Sequence, residues 1–254
     1  MLPKQTIGED VASEAVAEAM RLWAQADETP IKTPPADLQD CIGALIENHD
    51  VAPIRDYFWQ FETKSCKAPV AFVASLLLSR LQGVPFAILS HEPLTDTAAR
   101  ADYELLRDSS AGLPEEITMH GVPSIVKTVT AVVHSNNSKH FLSITSLGDV
   151  AIDDYTLNAI GKLTGLSNNA LKHHSHINSA EFDPVRRLGL EPGNIGPFPH
   201  HIVDIDHFIL RQIDKPGFIA VRFSPRDTVC FARRLCQPLI VAYLHRLGRS
   251  YQLC

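Results

Sequence analysis

The sequence predicts a mixed α+β protein, a mixed β-sheet flanked by helices and preceded by an all-helical N-terminal extension. Three observations carry this prediction. Apolar residues recur at helical spacing through the first ~65 residues. Beyond Lys67, short β-rich runs alternate with helical stretches, the pattern of layered sheet and helix. Of the 254 residues, 45% are hydrophobic and 20% charged, the balance of a chain that buries a core.

The elements follow in order. Thr6-x-x-Glu9 has the form of a capping box, and Ile7, Val11, Ala15, Ala19 and Trp23 then share one helix face. Pro30 to Pro35 break the chain. Leu38, Cys41, Ile42, Leu45 and Ile46 make a second amphipathic stripe, and Pro53 starts a third helix carrying Ile54, Tyr57, Phe58 and Phe61. A fourth helix spans Val70 to Leu81 and stops at Gly83. Val84 to Leu89 reads as a strand and Thr97 to Asp108 as a helix. Ser124 to Val133 and His140 to Ser146 are β-rich around the polar turn Ser135-Asn136-Asn137-Ser138. Asp153 to Leu163 and Ser167 to His173 are helical in pattern. Ile202 to Ile213 and Gly217 to Phe223 read as later strands. Ser224-Pro225-Arg226-Asp227 reads as a helix start, with Ser224 as N-cap, for a last helix running to about Leu247. These elements divide into a helical extension over 1–67 and a second domain over 68–254.

Composition excludes several classes. The longest apolar stretch, Ala68 to Leu78, is about half the length of a membrane span. No signal peptide is visible in the opening residues, so no membrane association and a cytoplasmic location are expected. Five cysteines (Cys41, Cys66, Cys230, Cys236, Cys254) without a Cys-x-x-Cys argue against a disulfide framework or a structural zinc site. His173, His174 and His176 are too closely spaced to share one helix face, and no His-Glu-x-x-His occurs, so no metal and no cofactor are expected. Net charge is −6, but its distribution is uneven. From Arg186 onward ten basic residues face five acidic ones; residues 1–185 hold thirteen against twenty-four. A basic C-terminal part of an acidic chain can mark a face that meets phosphates, or plain solvated surface.

The most informative segment is Gly189-Leu190-Glu191-Pro192-Gly193-Asn194-Ile195-Gly196-Pro197-Phe198. Its glycines allow backbone to approach a ligand and its prolines limit the loop's alternatives. Free N–H groups in such a loop can hold a carbonyl oxygen or a developing oxyanion, although a Gly/Pro loop is also a common connector. Lys127 is the second candidate: a lone charge inside the β-rich run Ile125-Val126-Lys127-Thr128-Val129, which can also read as an edge-strand charge.

In context these segments resemble the YbaK-like aminoacyl-tRNA editing domains, the family that includes free-standing prolyl-tRNA editing proteins. Gly193 to Pro197 has the family's Gly-x-x-x-Pro form, and Ile125 to Val129 resembles the strand that carries its lysine. Gly83-Val84-Pro85-Phe86 followed by His91-Glu92-Pro93 resembles the opening strand and its turn. Thr97 to Ala101 resembles the Thr-x-x-x-Ala helix start. His140 to Ile144, Asp153 to Gly161 and Ser224 to Asp227 follow in the family's order. The resemblance covers about residues 68–235 and leaves 1–67 without a counterpart. It departs from the family near Ala220, where a polar residue is frequent, at Asp214 to Gly217, and at Arg100.

The resemblance implies a trans-acting deacylase that hydrolyses the ester of a mischarged tRNA carrying a small amino acid, with tRNA for proline as one candidate. It assigns Lys127 to the terminal adenosine and its phosphate, and Gly193 to the loop that holds the carbonyl. Asn194, Ile195, Gly196 and Pro197 would complete that loop, with Thr97 and His91 near the substrate; a turn-stabilising His91 fits equally. The implied partners are aminoacyl-tRNA and an aminoacyl-tRNA synthetase. Arg186, Arg187, Arg211, Lys215, Arg233 and Arg234 are candidates for the tRNA body. A second reading keeps the fold without hydrolysis, as a tRNA- or protein-binding module.

Overall fold

The computed structural model describes residues 9–26, 35–60, 68–92, 104, 106–109, 112–119, 121–135, 138–147, 152–173, 177–178, 181–183, 186, 197–198, 205–211 and 216–254. Four helices open the chain: α1 (Glu9–Gln25), α2 (Leu38–Asn48), α3 (Ala52–Trp59) and α4 (Ala68–Leu81). In α1 the buried residues Ala12, Ala15, Val16, Ala19 and Leu22 recur at helical spacing on one face. The Asp37 side chain caps α2 by accepting the Gln39 amide at 2.7 Å. Pro53 sits in the first turn of α3, where its missing N–H costs nothing. The capping-box residue Thr6, the stripe residue Ile7, Phe61 and most of the Pro30–Pro35 link lie outside the described residues.

α4 differs from the first three. Val70, Ala71, Phe72, Val73, Ala74, Leu76 and Leu78 are buried around most of its circumference, because α1, α8 (Arg233–Arg246) and the sheet all pack against it. A helix apolar on all sides belongs in an interior. It ends at Gly83, whose φ of +58° a side chain rarely adopts.

The strands are β1 (Phe86–Ser90), β2 (Ser124–Ser135), β3 (Ser138–Leu147), β4 (Ile177–Asn178), β5 (His207–Leu210), β6 (Phe218–Ser224), β7 (Asp227–Ala232) and β8 (Ser250–Leu253). They form one mixed sheet in the order β1-β7-β6-β2-β3-β5-β8, with β4 pairing to β2. The β1–β7, β7–β6 and β2–β3 pairs are antiparallel; β6–β2, β3–β5 and β5–β8 are parallel. Among the described residues, short helices lie on the chain between the strands: α5 (Glu115–Thr118), α6 (Asp154–Thr164) and α7 (Asn168–His173), with 106–109 also helical. Asp153 caps α6 by accepting the Thr156 amide, and Gly165 closes it at φ +75°. The mixed sheet with flanking helices is the architecture expected from the sequence.

One expected element is corrected. Ser224-Pro225-Arg226-Asp227 does not start a helix. β6 turns at Pro225 and Arg226 directly into β7, and the last helix, α8, begins only at Arg233. The Ser224 hydroxyl does accept a backbone amide, that of Arg226 at 3.1 Å, but this bond shapes a turn. Beyond it, Asp227 to Ala232 are buried on both faces of the sheet, and only an extended chain presents alternate residues to two cores.

The two sheet faces have different covers. Val126, Val132, Phe208, Leu210, Ile219, Val221, Phe223, Val229 and Phe231 point into one continuous core shared with α1, α2, α3, α4 and α8. That core runs without a break across residue 67, where the sequence places the end of its helical extension. The opposite face carries two smaller clusters. Val133, Leu142, Ile144 and Ile209 pack under α6 and α7. Ile125, Ala220 and Cys230 pack with Leu106, Leu113 and Ile117. Among the described residues no helix is long and apolar enough to cross a membrane.

Candidate functional site

Side chains alternate along a strand, so register places each residue on a face. On the face with two clusters, Ala87, Cys230, Ala220 and Ile125 form an apolar row across β1, β7, β6 and β2. Moving two residues along each strand reaches the next row on the same face. It reads Leu89 opposite Thr228, Thr228 opposite Arg222, then Lys127 two residues beyond Ile125, and Ser146 opposite Lys127. The following pair, Val129 and Ile144, brings in the α6–α7 cluster. Lys127 therefore stands at the seam between two covered patches, in a row that is polar at four of five positions.

His91 joins this row at its β1 end. Its backbone N–H donates to the Arg226 carbonyl at 2.8 Å. Its Nδ1 lies 2.8 Å from the Glu92 carbonyl, which only accepts, so Nδ1 carries the proton. In the neutral ring Nε2 is then the acceptor for the Thr228 hydroxyl, 3.1 Å away. Both ring nitrogens are thus engaged locally, and the geometry makes His91 a brace for the β1–β7 corner.

Beneath that corner lies a buried carboxyl. Asp227 is fully buried and accepts from the Ser90 hydroxyl at 2.9 Å and from the Tyr57 and Ser224 hydroxyls, each at 2.5 Å. Three donors offset the large cost of removing a carboxyl from water. Burial, and then the bond to Asp227, hold the Tyr57 phenol far above its ordinary value, so it serves as a donor.

The structure places Lys127 and His91 on one face, linked through Arg222 and Thr228. Pro197 is buried with its neighbour Phe198, and Phe198 stacks on Phe223 at 5.8 Å and meets the Tyr243 ring edge-on at 6.1 Å. Phe223 belongs to the opposite face, so Phe198, the residue after Pro197, packs into the large core. Thr97, Gly193, Asn194, Ile195 and Gly196 lie outside the described residues. Ala220, where the family resemblance departs, is buried in the apolar row beside Ile125.

The sequence reading missed Arg222, Thr228 and Ser146. Arg222 carried the same signal as Lys127, a single charge in a run of β-formers, Ile219-Ala220-Val221-Arg222-Phe223. Thr228 and Ser146 gave no such signal; only register joins them to the row. Of the candidates for a tRNA body, Arg211 is held in an ion pair by Asp153, the cap of α6.

No reactive thiol lies in the row. Burial pushes the Cys230 thiol behind it up to about 12, and Cys41 likewise, so neither is a ready thiolate. Among the described residues no group of three metal-ligating side chains occurs. A groove of about 410 Å³ between α6 and β8, lined by Tyr155, Asn158, Lys162 and Leu253, lies at the far edge of the sheet.

The chain matches no family model, and no curated protein matches it.

Proposed function

We propose that this chain is a trans-acting aminoacyl-tRNA deacylase that hydrolyses the ester of a tRNA carrying the wrong small amino acid. The observation that supports this reading best is the row itself. It sets Lys127 and Arg222, two cations on adjacent strands, on one face of the sheet between the hydroxyls of Thr228 and Ser146. Two basic side chains beside two hydroxyls on one face suit the terminal phosphate of an acceptor strand, because affinity for nucleic acid rests largely on Lys and Arg contacts to phosphate.

An aminoacyl ester needs no protein nucleophile. Its carbonyl must be positioned and polarised and water admitted, while the neighbouring ribose hydroxyl assists departure. In this reading Lys127 and Arg222 hold the phosphate end, and the backbone of Gly193 to Pro197 holds the carbonyl. The pocket sorts amino acids by size; a single methylene is worth only roughly 1–3 kcal/mol, which is the reason for a second, hydrolytic check. The partners are aminoacyl-tRNA and a synthetase that produces the mischarged species, and the expected location is the cytoplasm.

The alternative, a tRNA- or protein-binding module without hydrolysis, is favoured by one observation: both ring nitrogens of His91 are committed to local bonds, so the ring offers no base to a water. Incubating the full chain with a panel of aminoacyl-tRNAs separates the readings. Release of one small amino acid at enzyme-dependent rates supports the deacylase; binding of tRNA without release for every member of the panel overturns it.

A further inference from the structure

Tyr57 lies on α3, in the stretch that the proposed chemistry does not use, yet its hydroxyl reaches the hairpin beneath the candidate site. The carboxyl it meets, Asp227, takes donors from three separate elements: α3, the end of β1 and the end of β6. Two of the residues involved adjoin the site directly. Ser90 precedes His91, and Asp227 precedes Thr228, and these two neighbours are themselves joined ring to hydroxyl. The His91 amide is tied to Arg226, the residue before Asp227. The carboxyl and its donors therefore fix the height of β1 against β7 at the row that includes Lys127 and Arg222.

Tyr57 is the donor that does not belong to this corner of the sheet. Its ring is held edge-to-face by Phe58 at 5.7 Å, and both residues lie in the core that α1, α2 and α4 share. A rigid anchor in the helical layer thus donates to a buried acceptor in the site's hairpin, 170 residues away in sequence.

We propose that Tyr57 is a positioning residue: through Asp227 it sets the His91–Thr228 corner, so that the N-terminal helices tune the geometry of the candidate site. The coupling stands on the hydrogen-bond geometry; its consequence for turnover rests on the deacylase reading.

The test uses Tyr57→Phe in the full chain, with Leu45→Ala as a control that loosens the same helical layer without removing a bond to Asp227. Ser90→Ala removes a different donor to the same carboxyl. Three quantities are measured: amide exchange at His91 and Thr228, the His91 ring nitrogen signals by NMR, and deacylation split into kcat and KM. Tyr57→Phe is expected to melt cooperatively, to exchange at these amides at least ~10-fold faster, and to shift the ring signals. Its kcat is expected to fall about tenfold with KM unchanged, since binding through the cationic pair is untouched. Unchanged exchange and ring signals in folded Tyr57→Phe overturn the proposal, as does an equal change in Leu45→Ala. If Tyr57→Phe does not fold, Ser90→Ala decides: the same shifts support the coupling, and their absence overturns it. A wild-type chain without deacylase activity removes the functional reading alone, because exchange and ring signals still decide the positioning role.

Discussion

Asp227→Ala is the most informative perturbation of the fold. In the structure the carboxyl is fully buried and is the acceptor for three hydroxyls, those of Tyr57, Ser90 and Ser224. Alanine removes all three bonds at once and leaves the Tyr57 hydroxyl, in a core residue, without its acceptor. At roughly 1–2 kcal/mol for each of the three bonds lost with a partner left behind, the loss is about 3–6 kcal/mol. For a chain of this size that lowers Tm by about 10 °C. Asp227→Asn keeps the volume and one acceptor oxygen and lets a hydroxyl reverse its role, so it should cost less, about 1–2 kcal/mol. Urea unfolding followed by circular dichroism measures both, and Tyr57→Phe made in each background measures the coupling. A loss below about 1 kcal/mol for Asp227→Ala would refute this reasoning. So would a Tyr57→Phe effect of the same size with and without Asp227.

Lys127→Ala should leave the melting temperature nearly unchanged and reduce single-turnover deacylation at least ~100-fold, because a half-buried strand lysine adds little to stability and the proposed contact is with substrate; full activity in the folded variant contradicts the assignment. His207 stacks on His140 at 5.5 Å, and its ring is held below the ordinary 6.5 by burial first and the His140 charge second, with Asp206 opposing. The unfolded chain then binds the proton more readily, so stability is full above pH 6.5 and falls as pH drops through the window down to the lower folded value. His207→Gln should flatten that slope in pH-dependent melts, and an unchanged slope argues against the cause. The sequence divides the chain at residue 67, yet Ala12, Val16, Leu38, Leu45, Ile54 and Phe58 belong to the same core as α4 and α8, so a chain that begins at Lys67 should fail to melt cooperatively by calorimetry.

Much of the helical architecture was legible because its causes are local. Pro53 and Asp153 act within a turn of the helix starts they define, as the sequence reading placed them, and Asp37 and Gly165, which it did not single out, act equally locally at the start of α2 and the end of α6. The β2–β3 hairpin was legible for the same reason: two β-rich runs separated by a short polar turn have few other ways to pair. β8 and the two-residue β4 gave no pattern of their own. They are short, and what makes them strands is the backbone of β5 and β2 beside them. Lys127 was legible as a charge that the strand itself does not need, whereas the row it joins was not.

The sequence by itself determined where the chain turns helical, where glycine and proline interrupt it, and that a lone cation sits in a β-run. These follow from periods of two and 3.6 residues and from caps that act over three or four positions. Only the tertiary structure decided that Ser224 shapes a turn and not a helix start, since the same hydroxyl-to-amide bond serves both until strand pairing selects one. Only register could set Thr228, Arg222, Lys127 and Ser146 in one row, because it joins two hairpins that are distant in sequence. The Tyr57–Asp227 bond spans 170 residues and leaves no trace in either neighbourhood. Its partners meet because one core packs the helices against the sheet, and that packing is a property of the whole chain.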